Sequence, residues 1–440
     1  MHKKILVFVF SFAVVAIGYI FFAPSTQTFA ASNLQEKETL FGIQAIDTMK
    51  ESRDRARAVI SDPSYDSKID AQMRLVKEAG ATHVSIATPY DEEFVPVLKR
   101  WVASARRHGL SVWFRGNFSG WEGWFDYPRI TPSQHLAKTK TFIIAHPELF
   151  ENGDIFSPCP ECENGAMGDP RVTGKVADYR TFLIAEHTTV QAAFQLIGKQ
   201  VTGTYPSMNA DVARLIMDRP TTAALGGMVV IDHYVRTPEQ FRQDVINIGN
   251  ASAGAVALGE LGGPIPDLQG YLSEKDQAAY IEKLMGALWT QNDNIPLVNY
   301  WVLSDGSTAL LNANGTPRAA YEIVRKYFTA PYISGTVVNT LGDRLSGISI
   351  QVTDTSNVYT ATTSTKGEFR VFVPQDTATI SFGSNSYVSE KIIVHRSEGS
   401  TYKNVILEPA DPSFIYNVRE FISKVPAYVQ TAAAILFLNK

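Results

Sequence analysis

Short apolar runs alternate with longer amphipathic stretches along most of this chain. The runs are FGIQAID (41–47), THVSIAT (82–88), LSVWFRGNF (110–118) and DIFSPCPE (154–161). They continue with QVTGTYPSM (200–208), GMVVIDHYV (227–235), AVALGELGG (255–263) and PLVNYWVLSDG (296–306). Each has the length of a buried strand. Between the first two, SKIDAQMRLVKEAG places Ile69, Met73, Leu75, Val76 and Ala79 near the helical period and ends on a glycine. EFVPVLKRWVASARRHG and EKDQAAYIEKLMGALWTQ behave likewise. Eight strand–helix units over roughly 290 residues predict an α/β domain, a (β/α)₈ TIM barrel, across 37–329. An open doubly wound sheet would alternate too. Polar residues recur at the C-terminal ends of nearly every run, and that rim is where barrel sites are built, which favours the barrel.

Beyond Tyr327 the period changes. From PYISGTVV to ATISFG polar and apolar residues alternate at period two, with turn residues such as Gly335, Gly342, Gly347 and Gly367 at intervals. This predicts an all-β, immunoglobulin-like sandwich over 330–410. The layout ISGTV, LSGISIQV and TSTKGEFRV resembles the carboxypeptidase regulatory-like, transthyretin-type sandwich, and the resemblance implies a module that braces its neighbour. The last stretch, 411–440, is apolar and expected to be a helical tail broken at Pro426. At the other end Lys3 and Lys4 precede an apolar run that Pro24 closes, with small residues after it. Residues 1–31 therefore read as a signal peptide or an N-terminal membrane anchor, and both readings stay open. Either way the rest of the chain is expected outside the cytoplasm, secreted or at the cell surface.

Composition changes this picture little. Of 440 residues 45% are hydrophobic and 19% charged, ordinary for a globular protein. The net charge of −4 and the lack of basic runs argue against a nucleic-acid partner. Membrane contact is expected through the N-terminal apolar segment, and the apolar tail is expected either to pack on the barrel or to lie at a membrane surface.

Candidate chemistry gathers at two strand ends. Glu161 follows the fourth apolar run, in SPCPECENG, and Glu260 follows the seventh, in VALGELGG. Glycosidases need two carboxylates across the scissile bond, one protonated to help the leaving oxygen depart and one ionised to attack or to activate water. Two such acids on one eight-strand pattern predict a glycoside hydrolase. Gly262 and Gly263 are expected to leave room for the ligand. Trp121 and Trp124, in the loop SGWEGWFDYP, are expected to stack on sugar faces.

With these residues in place the chain resembles clan A of the glycoside hydrolases, the retaining (β/α)₈ enzymes. PECEN is similar to the clan's NEPEN segment. That implies Glu161 as acid/base and Glu163 as a second, less critical acid. LGELG is similar to the nucleophile strand and implies that role for Glu260. VIDHYV resembles the segment that brings a His and a Tyr near the nucleophile, here His233 and Tyr234. YWVLSDG resembles the last strand, where Trp301 would floor the sugar ring. Two positions depart from the pattern. Pro160 stands where the clan has an Asn that holds the sugar 2-hydroxyl, and SIATPYDE lacks the Arg usual at the second strand. Arg115, with Asn117 beside it, is the expected substitute. The substrate implied is a β-linked oligo- or polysaccharide, and no cofactor is required.

Cys159 and Cys162 are the only cysteines. A structural zinc site takes four ligands, and the sequence has no second Cys or His pair beside this one, so no metal is expected. A disulfide that pins the ledge under Glu161 and a pair of buried thiols both remain open. Two further classes compete with the enzyme: a glycan-binding barrel that has lost catalysis, and a structural protein of the cell envelope.

Overall fold

The computed structural model describes residues 38–354 and 357–411. The leader over 1–31 and the tail from 412 onward lie outside the described residues.

The first part is a parallel barrel. Its segments are β1 (Ile43–Asp47), β2 (His83–Ile86), β3 (Ser111–Phe114), β4 (Ile155–Phe156), β5 (Gly203–Thr204), β6 (Ser207–Asn209), β7 (Met228–Asp232), β8 (Ala255–Leu261) and β9 (Leu297–Tyr300). They pair in the order β5-β4-β3-β2-β1-β9-β8-β7-β6. β5 and β6 are halves of one strand position, so the nine segments make eight places and the chain itself closes the ring. The break has a local cause. Pro206 has no N–H to give to a ladder, and the Tyr205 ring folds over Gly203, where a Cβ would lie 1.8 Å from it.

Alternation along the strands sorts the barrel interior into layers. Ala45, Trp113, Ile155, Val230, Ala257 and Leu297 form an inner apolar cluster distinct from the main core. Two residues further along each strand the chain turns polar: Asp47, Ser85, Arg115, Ser157, Ser207, Asp232, Gly259 and Asn299. The layer is tied together across the barrel. Ser85 donates to Asp47 at 2.8 Å and Asn299 to Asp47 at 3.3 Å. Ser207 donates to Asp232 at 2.9 Å, and the Trp113 indole to Ser157 at 2.9 Å. Helices cover the outside, several with side-chain N-caps. Thr131 and Gln134 make a reciprocal capping box on Pro132–Ala145, and Thr237 and Ser273 cap Pro238–Ser252 and Glu274–Trp289.

The second part is a sandwich. One sheet has β10 (Tyr332–Asn339) between β13 (Glu368–Phe372) and β16 (Thr401–Leu407). The other runs β12 (Val358–Thr362), β11 (Ser349–Thr353), β14 (Thr377–Ser384) and β15 (Tyr387–His395). Strict alternation of buried and exposed residues on β11 turns Ile350 and Val352 inward to meet Ile380 and Phe382 of β14. The sandwich shares a continuous core with the barrel. At the seam the buried Trp289 donates to the Phe372 carbonyl at 3.2 Å, and Tyr359 to Asp293 at 2.6 Å.

Candidate active site

Glu260 lies near the C-terminal end of β8. Strict alternation would send it outward, since Ala257 and Gly259 point into the barrel. The pairing with β7 slips between Ile231 and Asp232, so Asp232 stands opposite Glu260, and the pairing with β9 is irregular between Leu258 and Leu261. Such bulges re-aim side chains, and here Glu260 is swung to the barrel mouth. Gly259 makes room for the turn: a Cβ there would lie 2.4 Å from Asp232 Oδ1. Its carbonyl accepts from Asn299 Nδ2 at 2.8 Å and from Arg115 Nη1.

Arg115, just past β3, is 1% exposed and organises the acids. Its Nη2 lies 3.2 Å from both Asp232 Oδ1 and Glu260 Oε1. Tyr234 donates to the other Glu260 oxygen at 3.0 Å. Glu260 is 5% exposed, so it is reached only from the mouth. Burial, and then the charge of Asp232, push its pKa well above the usual carboxylate range, against the pull of Arg115. Asp232 is raised too, by burial.

Glu161 comes from the loop after β4. It takes left-handed backbone (φ 45°), is half-buried, and accepts from Asn164 Nδ2 at 3.3 Å. Burial first, then the charges of Asp232 and Glu163, push it up to about 7. Glu161 and Glu260 feel each other: the charge of Glu161 is among the causes that raise Glu260. Glu163 turns away. It accepts from the Asn209 N–H at 2.7 Å and from the Tyr179 hydroxyl at 3.3 Å, which fastens the loop to β6 and to the helix Val176–Leu196.

Two aromatic rings remain partly open at the rim. Trp301 stands edge-on to Tyr234, centroids 6.1 Å apart, with the Lys50 ammonium 5.9 Å from its ring. Trp124 carries the Arg53 guanidinium 4.6 Å from its ring.

Several expectations are corrected. Trp121 is 0% exposed, stacked on Phe182 at 5.4 Å, so it has no face for a ligand. The loop folds this indole inward against Gly165, where a Cβ would lie 1.9 Å from its Nε1. Asn117 is also fully buried, its Oδ1 accepting from the Phe118 N–H and facing His135 Nε2, both at 2.8 Å. His233 turns to the outer helix layer, with Nε2 3.0 Å from Asp244. Only its backbone N–H meets the Glu260 strand, at 3.0 Å from that residue's carbonyl. Nor do Gly262 and Gly263 leave space, because the Trp301 carbonyl and the Tyr280 ring fill it. Of the two readings for the cysteines, the structure has the disulfide, Cα atoms 5.1 Å apart.

The sequence reading missed Asp232, Ser207 and Asn299 as parts of the charged layer, and it missed Glu122. Glu122 sits between the two tryptophans of the quoted loop, where attention to the indoles hid it. Burial first, then the charge of Glu161, push it up to about 8. A carboxyl raised in the folded state contributes stability that is full below its ordinary value of 4.5 and is lost as pH rises through about 8. Glu122→Gln keeps the neutral shape at every pH. Urea melts are expected to show the variant matching the parent near about pH 4 and exceeding it by about 1 kcal/mol or more at about pH 9. Parallel curves at the two pH values would contradict the assignment.

No protein-family model matches the chain, and no curated protein matches it. Among solved structures it is similar to Bacteroides uniformis beta-glucuronidase 2, at 9% identity and a TM-score of 0.47 over 83% of this chain and 46% of that one. It is also similar to a fungal beta-1,4-galactanase, at 13% identity and a TM-score of 0.45 over 65% of this chain and 99% of that one. A third is the family 5 xyloglucanase from Paenibacillus pabuli, at 16% identity and a TM-score of 0.43 over 59% and 90%. These neighbours are β-glycosidases. The chain spans less than half the length of the glucuronidase. The barrel itself stands on the strand order and pairing given above. Among the described residues no helix is long and apolar enough to cross a membrane.

Proposed function

We propose that the protein is a retaining glycoside hydrolase that cleaves a β-linked glycan outside the cytoplasm. The observation that carries this reading is the pairing of unlike carboxyls at one barrel mouth. Glu161, raised to about 7, keeps its proton at mildly acidic pH and can give it to a leaving oxygen. Glu260, held by Tyr234 and Arg115, is aimed to attack the anomeric carbon. Departure of the sugar from Glu260 would then be driven by water activated by the ionised Glu161. Trp301 and Trp124 supply the open aromatic faces. The sandwich would brace the barrel, as in carboxypeptidase regulatory-like modules.

One feature conditions the attack. Asp232 and Glu260 face a single guanidinium, and burial raises both, so each acid favours the protonated form more than a free carboxyl does. Attack requires Glu260 to be ionised, so the nearby Arg115 charge must outweigh the burial that favours its acid form. The same feature, with Pro160 in place of an Asn, favours a second reading: a barrel that binds glycan with Glu260 locked in its acid form.

Incubation with a panel of β-linked oligosaccharides, followed by NMR of the first product anomer, separates the two. Release of the β-anomer first supports the hydrolase. Binding without release supports the second reading, and an α-anomer first overturns double displacement.

A further inference from the structure

Behind the loop that carries Glu161 lies a second cluster of reactive side chains, which sugar cleavage does not use. Cys159 and Cys162 bracket Glu161 and turn inward, both fully buried. Glu186, from the helix Val176–Leu196, is 1% exposed. Neither of its carboxylate oxygens has a hydrogen-bond donor among the described residues. One of them and the two Sγ atoms all lie within 4.8 Å of one another. A buried carboxylate without donors is costly to keep, because its charge is neither hydrated nor hydrogen-bonded.

His135, from the helix Pro132–Ala145, sharpens the anomaly. It is fully buried, and its Nδ1 lies 2.6 Å from Glu186 Oε1 without the alignment of a hydrogen bond. The other ring nitrogen fixes the tautomer. Asn117 Oδ1 accepts from the Phe118 N–H, which sets the amide's orientation. His135 Nε2, 2.8 Å from that same oxygen, must therefore be the donor. In the neutral ring Nδ1 then points a lone pair at the Glu186 carboxylate. Two acceptors face each other in an aromatic enclosure of Trp121, Phe118 and Phe182. Something positive must lie with them, either a proton or a metal ion.

We infer that Cys159, Cys162, Glu186 and His135 form a site for a thiophilic divalent cation of the zinc class, made available when the Cys159–Cys162 disulfide is opened. Two thiolates and a carboxylate already lie within 4.8 Å of one another; the imidazole stands outside that group, against Glu186, and a side-chain shift on opening the bond would bring it in as the fourth ligand that zinc takes. Opening the bond takes two electrons and two protons from a thiol reductant, whose own two thiols become its disulfide. The cation then replaces the two cysteine protons, which leave to solvent. Sequence spacing hid the site because its second pair of ligands is not a Cys or His pair. Glu186 and His135 come from two helices that pack side by side, and neither carries a motif. The disulfide and the metal would clamp the same loop in alternative ways. The site is independent of the proposed glycosidase activity.

The test uses the full chain and cobalt(II) alone as the probe. The protein is reduced under anaerobic conditions by a phosphine, which takes up one oxygen from water as the disulfide becomes two thiols. The expected result is a thiolate-to-cobalt charge-transfer band and strong visible bands of a tetrahedral ion. The bands should saturate at one cobalt per chain and bleach on adding zinc. Glu186→Gln should weaken cobalt binding roughly tenfold or more, and Cys162→Ser, with only the Cys159 thiolate left, should lower the charge-transfer band by about half or more. Should Glu186→Gln not fold, the cobalt spectrum of Cys162→Ser decides alone. The inference is overturned by a folded protein whose disulfide no reductant opens. It is overturned equally by a reduced protein that gives no band, by equal bands without reduction, or by a folded Glu186→Gln that binds as the parent does. Such outcomes would leave His135 and Glu186 as an imidazolium–carboxylate pair. None of them depends on sugar release.

Discussion

Glu260→Gln is expected to lower kcat by roughly 10⁴-fold or more on any glycan the protein cleaves, since it removes the attacking oxygen itself. Glu161→Gln is expected to lower it by roughly 10²–10⁴-fold. The second loss should shrink on aryl glycosides whose leaving group needs no proton. The pH profile gives a separate handle. Glu161 must be protonated for the first step, and its pKa lies at about 7. The alkaline limb of kcat/KM should therefore fall through about 7 in the parent and flatten in Glu161→Gln. Neither exchange should harm the fold. At Glu260 the amide removes one charge from a layer that holds more carboxylates than cations, so denaturation midpoints should hold or rise near neutrality. Full turnover by either variant, or an alkaline limb unchanged in Glu161→Gln, would remove the proposed roles.

Arg115→Met should be the most destabilising single change in the barrel interior. The side chain is replaced by a shorter apolar one, and Asp232 and Glu260 lose the cation they share. Breaking a buried ion pair by removing one partner typically costs about 3–5 kcal/mol. The deficit should depend on pH with a definite sign. Asp232 and Glu260 are already raised in the folded parent, and without the guanidinium they rise further. Stability from the protonated acids is full below their ordinary values and lost as pH rises, so the variant should approach the parent in acid and fall away toward neutrality. Urea melts at several pH values measure this directly. A deficit below about 1 kcal/mol, or one that does not change with pH, would mean that Arg115 does not neutralise the pair.

The eight apolar runs were legible because buried parallel strands are short and continuously hydrophobic, while the helices between them keep one polar face. The sandwich was legible for the complementary reason, since one face of each of its sheets is wet. The broken fifth place was not. Its interruption depends on how the Tyr205 ring meets Gly203, and periodicity carries no sign of that. Within the site, the positions of Glu161 and Glu260 along the strands were readable, but the means of aiming Glu260 was not, because a bulge is a property of two paired strands. Trp121 and His233 misled for one reason. Their side chains are aimed by distant partners, Phe182 and Gly165 for the first and Asp244 for the second, and the sequence neighbourhood of each says nothing of those. Glu122 and Glu186 were missed because a carboxylate shows its importance only once its burial is known.

The apolar floor beneath the charged layer has a consequence for proton traffic. Trp113, Ala45, Ile155, Val230, Ala257 and Leu297 stop water from entering at the far end of the cylinder. Asp232 and Glu260 therefore face the solution from the mouth side, where Tyr234 and Glu161 stand. A molecule seated over that mouth would cover both acids at once and lengthen the path of any proton between them and the solution.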